Sequence, residues 1–209
     1  MNTYYPSFIN LKGKECIVIG GGNVAERKVL SLLNSGAIVK VISPEITDTL
    51  KKYVEEGQIQ YLKRKYRKGD IKDAFMVIVA TSDAKINKKI ADEATCLINV
   101  VDNPEMSNFI VPSVLKRGLL TIAISTSGAS PAMAKYIRME LQNLYGKDFA
   151  KFLSFLKQIR SEVLRKISDK RKREILLKTL VGKNIIRILR EKGFKAAKNK
   201  VIDEVKANL

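Results

Sequence analysis

The chain has 209 residues, 45% of them hydrophobic, with 39 Lys+Arg against 21 Asp+Glu and no histidine. That length allows one or two domains with a real apolar core. No apolar run approaches the roughly 18 residues of a membrane span, and residues 1–14 lack a signal-peptide pattern, so a cytoplasmic protein without a membrane partner is expected. The missing histidine excludes the commonest general base and any histidine-ligated zinc site. No metal site is expected, and proton chemistry falls to Asp, Glu, Lys or Tyr.

Residues 15–20 (ECIVIG) form a short apolar, β-branched run that ends in glycine and reads as a buried strand. Residues 23–35 follow as a helix, with Ala25, Val29, Leu32 and Leu33 on one face. A second strand is predicted over 38–43, a polar helix over 47–56 and a short strand over 59–62. Residues 75–80 (FMVIVA) are almost wholly apolar, as a central parallel strand covered on both faces requires. A helix over 87–94 and a strand over 97–101 complete the alternation, which predicts a doubly wound parallel sheet.

The pattern then changes. Residues 109–111 and 119–125 read as two further strands joined by a segment around Lys116 and Arg117. After Ser130 only helical spacing is found, over 131–144, 149–167, 171–180 and 183–191, punctuated by Gly146, Gly182 and Gly193. The expected fold class is α/β: a Rossmann-type sheet over 1–112, a small α+β segment over 113–146 and an all-helical region over 147–209.

Charge is uneven. Residues 1–112 carry 16 Lys+Arg against 13 Asp+Glu, whereas residues 113–209 carry 23 against 8, a net of +15. Such a field attracts nucleic acid, an acidic membrane surface or a polycarboxylate; a solubilising surface accounts for the charge equally well. Cys16 and Cys96 lie in separate apolar runs with no CxxC pair and read as reduced thiols packed as small hydrophobes.

The strongest motif is Gly20-Gly21-Gly22-Asn23-Val24-Ala25, a GxGxxA pattern between a predicted strand and a predicted helix. Gly20 permits the tight turn, Gly22 lets backbone approach a pyrophosphate, Ala25 permits close helix packing, and the helix start offers free N–H groups. An NAD-type cofactor is therefore expected. At the end of the second strand, Ser43 stands where an acidic ribose contact is usual and Glu45 lies slightly late. With no arginine next to Ser43 to grip a 2′-phosphate, NAD is favoured over NADP.

Three further clusters sit where ligands of such folds lie, or enter helices. Thr81 follows the fourth strand and could touch the cofactor, although Ser82 and Asp83 also suit helix capping. Asp102 follows the fifth strand and is the best-placed proton acceptor in a chain without histidine, although Asp102-Asn103-Pro104 is also turn chemistry. Ser125, Thr126, Ser127 and Ser130 form a hydroxyl-rich loop entering a helix. Ser130 and Pro131 explain part of it as a cap; the rest, with Lys135 and Arg138, could hold a carboxylate.

IGGGNVAERK (19–28), VIVATSDAKIN (77–87), INVVDNP (98–104), SNFIVPS (107–113) and IAISTSGASPAMAKYIR (122–138) together resemble the siroheme synthase family, which comprises precorrin-2 dehydrogenases, some of them also sirohydrochlorin ferrochelatases. The match runs over about residues 5–145. The resemblance implies oxidation of precorrin-2 to sirohydrochlorin with NAD⁺, a catalytic role for Asp102, cofactor contacts from Asn23, Val24, Pro44 and Glu45, and a tetrapyrrole-site serine replaced here by Thr126. It also implies that 113–146 is a dimerisation segment of a homodimer, and it leaves iron insertion open. An eight-carboxylate substrate suits the basic C-terminal half. The alternative is an NAD-sensing, nucleic-acid-binding regulator supported by the KRKR cluster at Lys170–Arg173. Against nucleic acid as a partner stand the lack of clear helix-turn-helix spacing and the sparse aromatics.

Overall fold

The computed structural model describes residues 4–207. The outermost residues of the expected first and third regions, 1–3 and 208–209, lie outside the described residues. The chain divides into two compact units, one running to Val111 and the other beginning at Pro112.

In the first unit β1 (Glu15–Ile19), β2 (Ile38–Ile42), β3 (Ile59–Leu62), β4 (Met76–Val79) and β5 (Leu97–Val100) alternate with α1 (Asn23–Leu33), α2 (Asp48–Glu55) and α3 (Ala84–Glu93). The sheet order is β3-β2-β1-β4-β5, and every pairing is parallel. The chain leaves β1 in one direction and returns to its other side, so the order reverses between β1 and β4. This switch point is where ligands of such sheets bind.

Strand alternation explains the layers. Cys16 and Val18 point into one core with Ala25, Val29 and Leu32 of α1 and Leu50 of α2. Ile17 and Ile19 point into the opposite core with Ile90 of α3 and with Val77, Val79, Ile98 and Val100. Cys16 to Ile19 are all fully buried, at 2% exposure or less. Each buried Val or Ile contributes about 1.5–3 kcal/mol, so β1 is the spine of the unit. Both cysteines are free. Burial, then Cys96 and Glu15, push the Cys16 thiol up to about 11, which suits a packing role; Cys96 is half-buried.

The second unit opens with an antiparallel hairpin, β6 (Ser113–Arg117) and β7 (Leu120–Ile124). It continues with α4 (Pro131–Leu144), α5 (Lys147–Lys166), α6 (Lys170–Thr179) and α7 (Lys183–Lys206). Its core gathers Phe149, Phe152, Ile159 and Val163 of α5 against Leu176 of α6 and Ile185, Leu189, Ala197, Val201 and Val205 of α7.

Three expectations are corrected. Residues 109–111 form no strand; β6 lies over Ser113–Arg117 and takes in Lys116 and Arg117, which were expected to be a connection. The reason is that the segment after β5 bonds that strand through asparagine side chains and the single backbone bond from the Asn108 N–H to the Ile98 carbonyl (3.0 Å). Asn108 Oδ1 accepts from the Ile98 N–H (2.8 Å), Asn108 Nδ2 donates to the Cys96 carbonyl (2.8 Å), and Asn99 Nδ2 donates to the Phe109 carbonyl (3.1 Å). These groups occupy the open edge of β5 without a ladder. Helix α3 begins at Ala84, three residues early, because Asp83 accepts from the Lys85 and Ile86 N–H groups. Helix α7 continues to Lys206 through a kink at Gly193 (φ 78°, ψ −176°). Restarting is possible because Asp148 Oδ2, from the first turn of α5, accepts from the Phe194 N–H at 3.0 Å.

Candidate active site

The glycine turn sits at the carboxyl end of β1. Gly20 has φ +115°, and a β-carbon there would lie 2.3 Å from the Ala80 carbonyl oxygen beyond β4. On Gly21 it would lie 2.0 Å from the Glu45 carbonyl oxygen and 2.9 Å from Ser43 Oγ. Gly22 has nothing within 4 Å. The first two glycines therefore seat the turn between the ends of β2 and β4, and the third leaves its outer side open.

Gly22 is also the N-cap of α1 and brings no side chain to the helix start, so the N–H groups of Asn23, Val24 and Ala25 have no side-chain cap. Uncapped first-turn N–H groups beside an open glycine, with Asn23 exposed and Val24 half-buried, are what an incoming pyrophosphate requires. Ala25 is fully buried, which brings α1 close onto the sheet. The turn is braced from α2: the Thr47 N–H donates to the Gly21 carbonyl (3.1 Å), and Thr47 Oγ1 donates to Glu26 Oε2 (2.5 Å).

At the end of β2, Ser43 is buried, 8% exposed, against Gly21, while Pro44 and Glu45 are exposed. Ser43 thus packs under the turn and leaves Glu45 as the acidic group open to a ligand. At the end of β4 the half-buried Thr81 is tied to α3. Its hydroxyl accepts from the Asp83 N–H (3.2 Å) and donates to Asn87 Oδ1 (2.6 Å), and Asn87 Nδ2 donates to the Thr81 carbonyl (3.0 Å). The helix cap itself is Asp83.

Asp102 occupies the turn after β5 with φ +59°, a left-handed conformation tolerated by Asp and Asn but costly for most residues. The turn closes with the Asn103 N–H donating to the Val100 carbonyl (3.1 Å). Ser107 clamps it: its Oγ accepts from the Val100 N–H (2.9 Å) and donates to the Asn103 carbonyl (2.8 Å). Asn103 Oδ1 accepts from the Met106 N–H (3.1 Å), starting a single 3-10 turn over Pro104–Met106. The Asp102 carboxylate is exposed, with no hydrogen bond or ion pair among the described residues. The turn reading and the chemical reading are therefore compatible: a rigid turn presents a free carboxylate beyond a strand end.

The hydroxyl-rich loop lies in the second unit. Thr126 Oγ1 donates to the Ser130 carbonyl (3.0 Å) and accepts from the Ser130 N–H (3.1 Å), and Ser125 Oγ accepts from the Ser127 N–H (2.9 Å). Ser130 Oγ caps α4 by accepting from the Met133 N–H (3.1 Å). Most of these hydroxyls hold the loop's own shape, with Ser127 at φ +51°. Lys135 is exposed and Arg138 half-buried on α4. The basic run Lys170–Arg173 forms the first turn of α6, behind its cap Asp169.

Two residues escaped sequence reasoning. Gly21 is a free position in the GxGxxA pattern, yet it makes the tightest approach; the third consecutive glycine was its only signal. Ser107 opens the SNFIVPS stretch, but nothing local marked it as the clamp of the Asp102 turn, because that role depends on a fold-back onto β5.

An all-parallel five-stranded sheet with a glycine cradle at its switch point defines a Rossmann-type dinucleotide-binding protein. A family model described as NAD(P)-binding matches residues 7–113, and one described as the central part of a sirohaem biosynthesis protein matches residues 117–144. The chain is 36% identical over 175 residues to the siroheme synthase of Nitrosococcus oceani, covering 82% of this chain and 37% of that protein. It is 36% identical over 157 residues to the precorrin-2 dehydrogenase of Bacillus subtilis, covering 74% of this chain and 97% of that protein. The solved structure of SirC, a precorrin-2 dehydrogenase, superposes with a TM-score of 0.80 at 27% identity, covering 94% of this chain and all of the other. The chain belongs to the siroheme synthase and precorrin-2 dehydrogenase family. It spans little more than a third of the siroheme synthases, 37% in the first case.

Proposed function

We propose that this chain oxidises precorrin-2 to sirohydrochlorin, with NAD⁺ as hydride acceptor and Asp102 as proton acceptor. The observation that carries the reading is the placement, at the carboxyl ends of one parallel sheet, of an uncapped glycine cradle beyond β1 and an uncommitted carboxylate beyond β5. The relatives named for precorrin-2 oxidation support the substrate.

The roles of the chain's own residues follow from geometry. N–H groups of Asn23 and Val24 take the pyrophosphate over Gly22, with Gly20 shaping the turn and Ala25 letting α1 pack close behind it. Glu45, with Pro44 beside it, takes the ribose 2′-hydroxyl, because Ser43 is buried beneath the turn; an acidic group there favours NAD over NADP. Thr81 shapes the wall beyond β4. The bound dinucleotide supplies the hydride acceptor. Asp102 receives the proton that leaves the macrocycle; a base so placed contributes about 10²–10⁴-fold.

Substrate carboxylates meet the basic second unit, where Ser125, Thr126, Ser127, Ser130, Lys135 and Arg138 border the start of α4. The exposed apolar side chains Val114, Leu119, Met133, Tyr136 and Met139 on the hairpin and α4 support a homodimer formed through residues 113–146.

The test is NADH formation from NAD⁺ and enzymatically generated precorrin-2 without added metal. Wild-type turnover, lost at least 100-fold in an Asp102→Asn variant that still binds NAD⁺, is expected. No NADH from a folded, NAD⁺-binding wild type would overturn the reading. Adding Fe²⁺ to the sirohydrochlorin formed then reads iron insertion, in which Asp102 would take pyrrole N–H protons.

A further inference from the structure

We propose that Thr47, locked by Glu26, is the positioning residue that holds Glu45 at the cofactor ribose and so sets the preference for NAD over NADP. The inference rests on the reading of Glu45 as the ribose contact given above and deepens it.

The chain crosses from β2 to α2 through residues 43–47, which belong to no helix or strand. Glu45 lies in their middle. It is exposed, and its carboxylate makes no hydrogen bond or ion pair among the described residues. No bond steers the side chain itself, so the reach of the carboxylate is set by how the backbone on either side is held.

That backbone is held at both ends. At its start the Ser43 N–H donates to the Leu62 carbonyl (3.2 Å), and the Tyr61 hydroxyl on β3 donates to the Pro44 carbonyl (3.2 Å). At its end Thr47 bonds three different parts of the fold. Its N–H donates to the Gly21 carbonyl in the cofactor turn (3.1 Å), and its hydroxyl donates to Glu26 Oε2 on α1 (2.5 Å). The same hydroxyl oxygen accepts from the Leu50 N–H as the N-cap of α2 (3.3 Å). Between these anchors the segment lies on Gly21, where a β-carbon would meet the Glu45 carbonyl oxygen at 2.0 Å and the Ile46 side chain at 2.8 Å.

Capping α2 does not require Glu26, since any Ser, Thr, Asn or Asp oxygen at that position serves. The bond to Glu26 is additional, joins residues 21 apart, and has a carboxylate as acceptor, which makes it one of the stronger kind. Glu26 and Thr47 are both half-buried, so the bond is partly shielded from water. It ties the Glu45 segment to the helix whose first turn takes the pyrophosphate. One helix thereby fixes the distance from the phosphate end of the site to the acidic group. That distance decides whether a carboxylate meets a 2′-hydroxyl it can bond and a 2′-phosphate it repels.

The experiment titrates NADH and NADPH, read by nicotinamide fluorescence, into the wild type, Thr47→Val, Thr47→Ser, Glu26→Ala and Glu45→Gln, with thermal melts in parallel. The wild type should prefer NADH, and Glu45→Gln should lower that preference by at least about tenfold. Thr47→Val and Glu26→Ala should each lower it by about threefold to tenfold, and Thr47→Ser should keep it. In a Glu45→Gln background Thr47→Val should change it no further, because nothing is left to position. Glu26→Ala leaves the α2 cap in place and carries the comparison if Thr47→Val fails to fold. A lowered melting temperature with an unmoved preference would mean a role in stability alone and overturns the inference. So does equal weakening of both dinucleotides, which would put the brace on the pyrophosphate turn. If Glu45→Gln leaves the preference unchanged, the ribose reading itself has failed and the inference falls with it. A preference that answers to Glu45 but not to Thr47 or Glu26 overturns the brace alone.

Discussion

The α-carbon of Gly21 stands so close to the Glu45 carbonyl that a β-carbon on it would lie 2.0 Å from that oxygen, whereas one on Gly22 would meet nothing within 4 Å. Adjacent glycines therefore serve different ends. Gly21→Ala should force the turn off the end of β2 and destabilise the protein by about 2–3 kcal/mol. Gly22→Ala should leave the melting temperature unchanged and weaken NAD⁺ binding at least tenfold, because the added carbon enters the space a pyrophosphate needs. Thermal melts and an NAD⁺ titration separate the two; equal effects from both variants would refute the assignment.

The Asp102 turn yields a second pair. At φ +59° asparagine fits as well as aspartate, so Asp102→Asn should keep the wild-type stability. Asp102→Ala should lose about 1 kcal/mol from backbone strain alone. Urea denaturation of both variants measures the difference.

Ser107→Ala removes the hydroxyl that holds Val100 and Asn103 together. Two polar backbone groups lose a partner, at about 1–2 kcal/mol. If rigidity of this turn matters for the reaction, kcat should fall by more than the loss of folded protein explains. A stability loss with unchanged kcat would show that the turn holds Asp102 without its help.

Stability in acid should depend on Asp70. Its carboxylate accepts two hydrogen bonds from Arg64, at 2.7 and 2.8 Å, and one from the Arg67 N–H at 2.7 Å. The Arg64 hydrogen bond, aided by the Arg67 N–H and opposed by burial, holds the carboxyl below its ordinary value. A depressed carboxyl stabilises the fold above the unfolded-state pKa of about 3.9. That contribution fades as pH falls through the lower folded-state value. Asp70→Asn should lower the melting temperature at pH 7 by roughly 3–6 °C, and the gap from wild type should close in strong acid. A gap that persists there would assign the effect to packing.

The parts of the fold that could be read from sequence are those set by local periodicity. Residues 16–19 and 76–79 are continuous apolar runs because both faces of their strands are covered, and α1 declares itself through Ala25, Val29 and Leu32. The glycine pattern and Asp102 were legible because each follows such a strand. What could not be read depends on partners distant in the chain. The expected strand over 109–111 failed because Asn108 bonds Ile98 and Cys96 beside it while Asn99 of β5 bonds the Phe109 carbonyl, and no local pattern encodes that. The reach of α7 beyond Gly193 was hidden for the same reason: glycine normally stops a helix, and here a carboxylate from another helix restarts it. Ser43 stands where the motif usually places an acidic ribose contact, and its burial beneath Gly21, which no local pattern encodes, gives it a packing role.

That restart has a consequence for how the second unit assembles. The bond from the Phe194 N–H to Asp148 joins residues 46 apart in sequence, within a unit whose hairpin and helices are otherwise held by local backbone bonds. Closing so long a loop carries an entropic cost before it returns any contact energy, so the final stretch of α7 should be among the last pieces to consolidate during folding. Once formed, the loop ties the far end of the chain to the first turn of α5. Fraying there would release both ends of the helical core together, and chain shortening should be tolerated in one cooperative step or not at all.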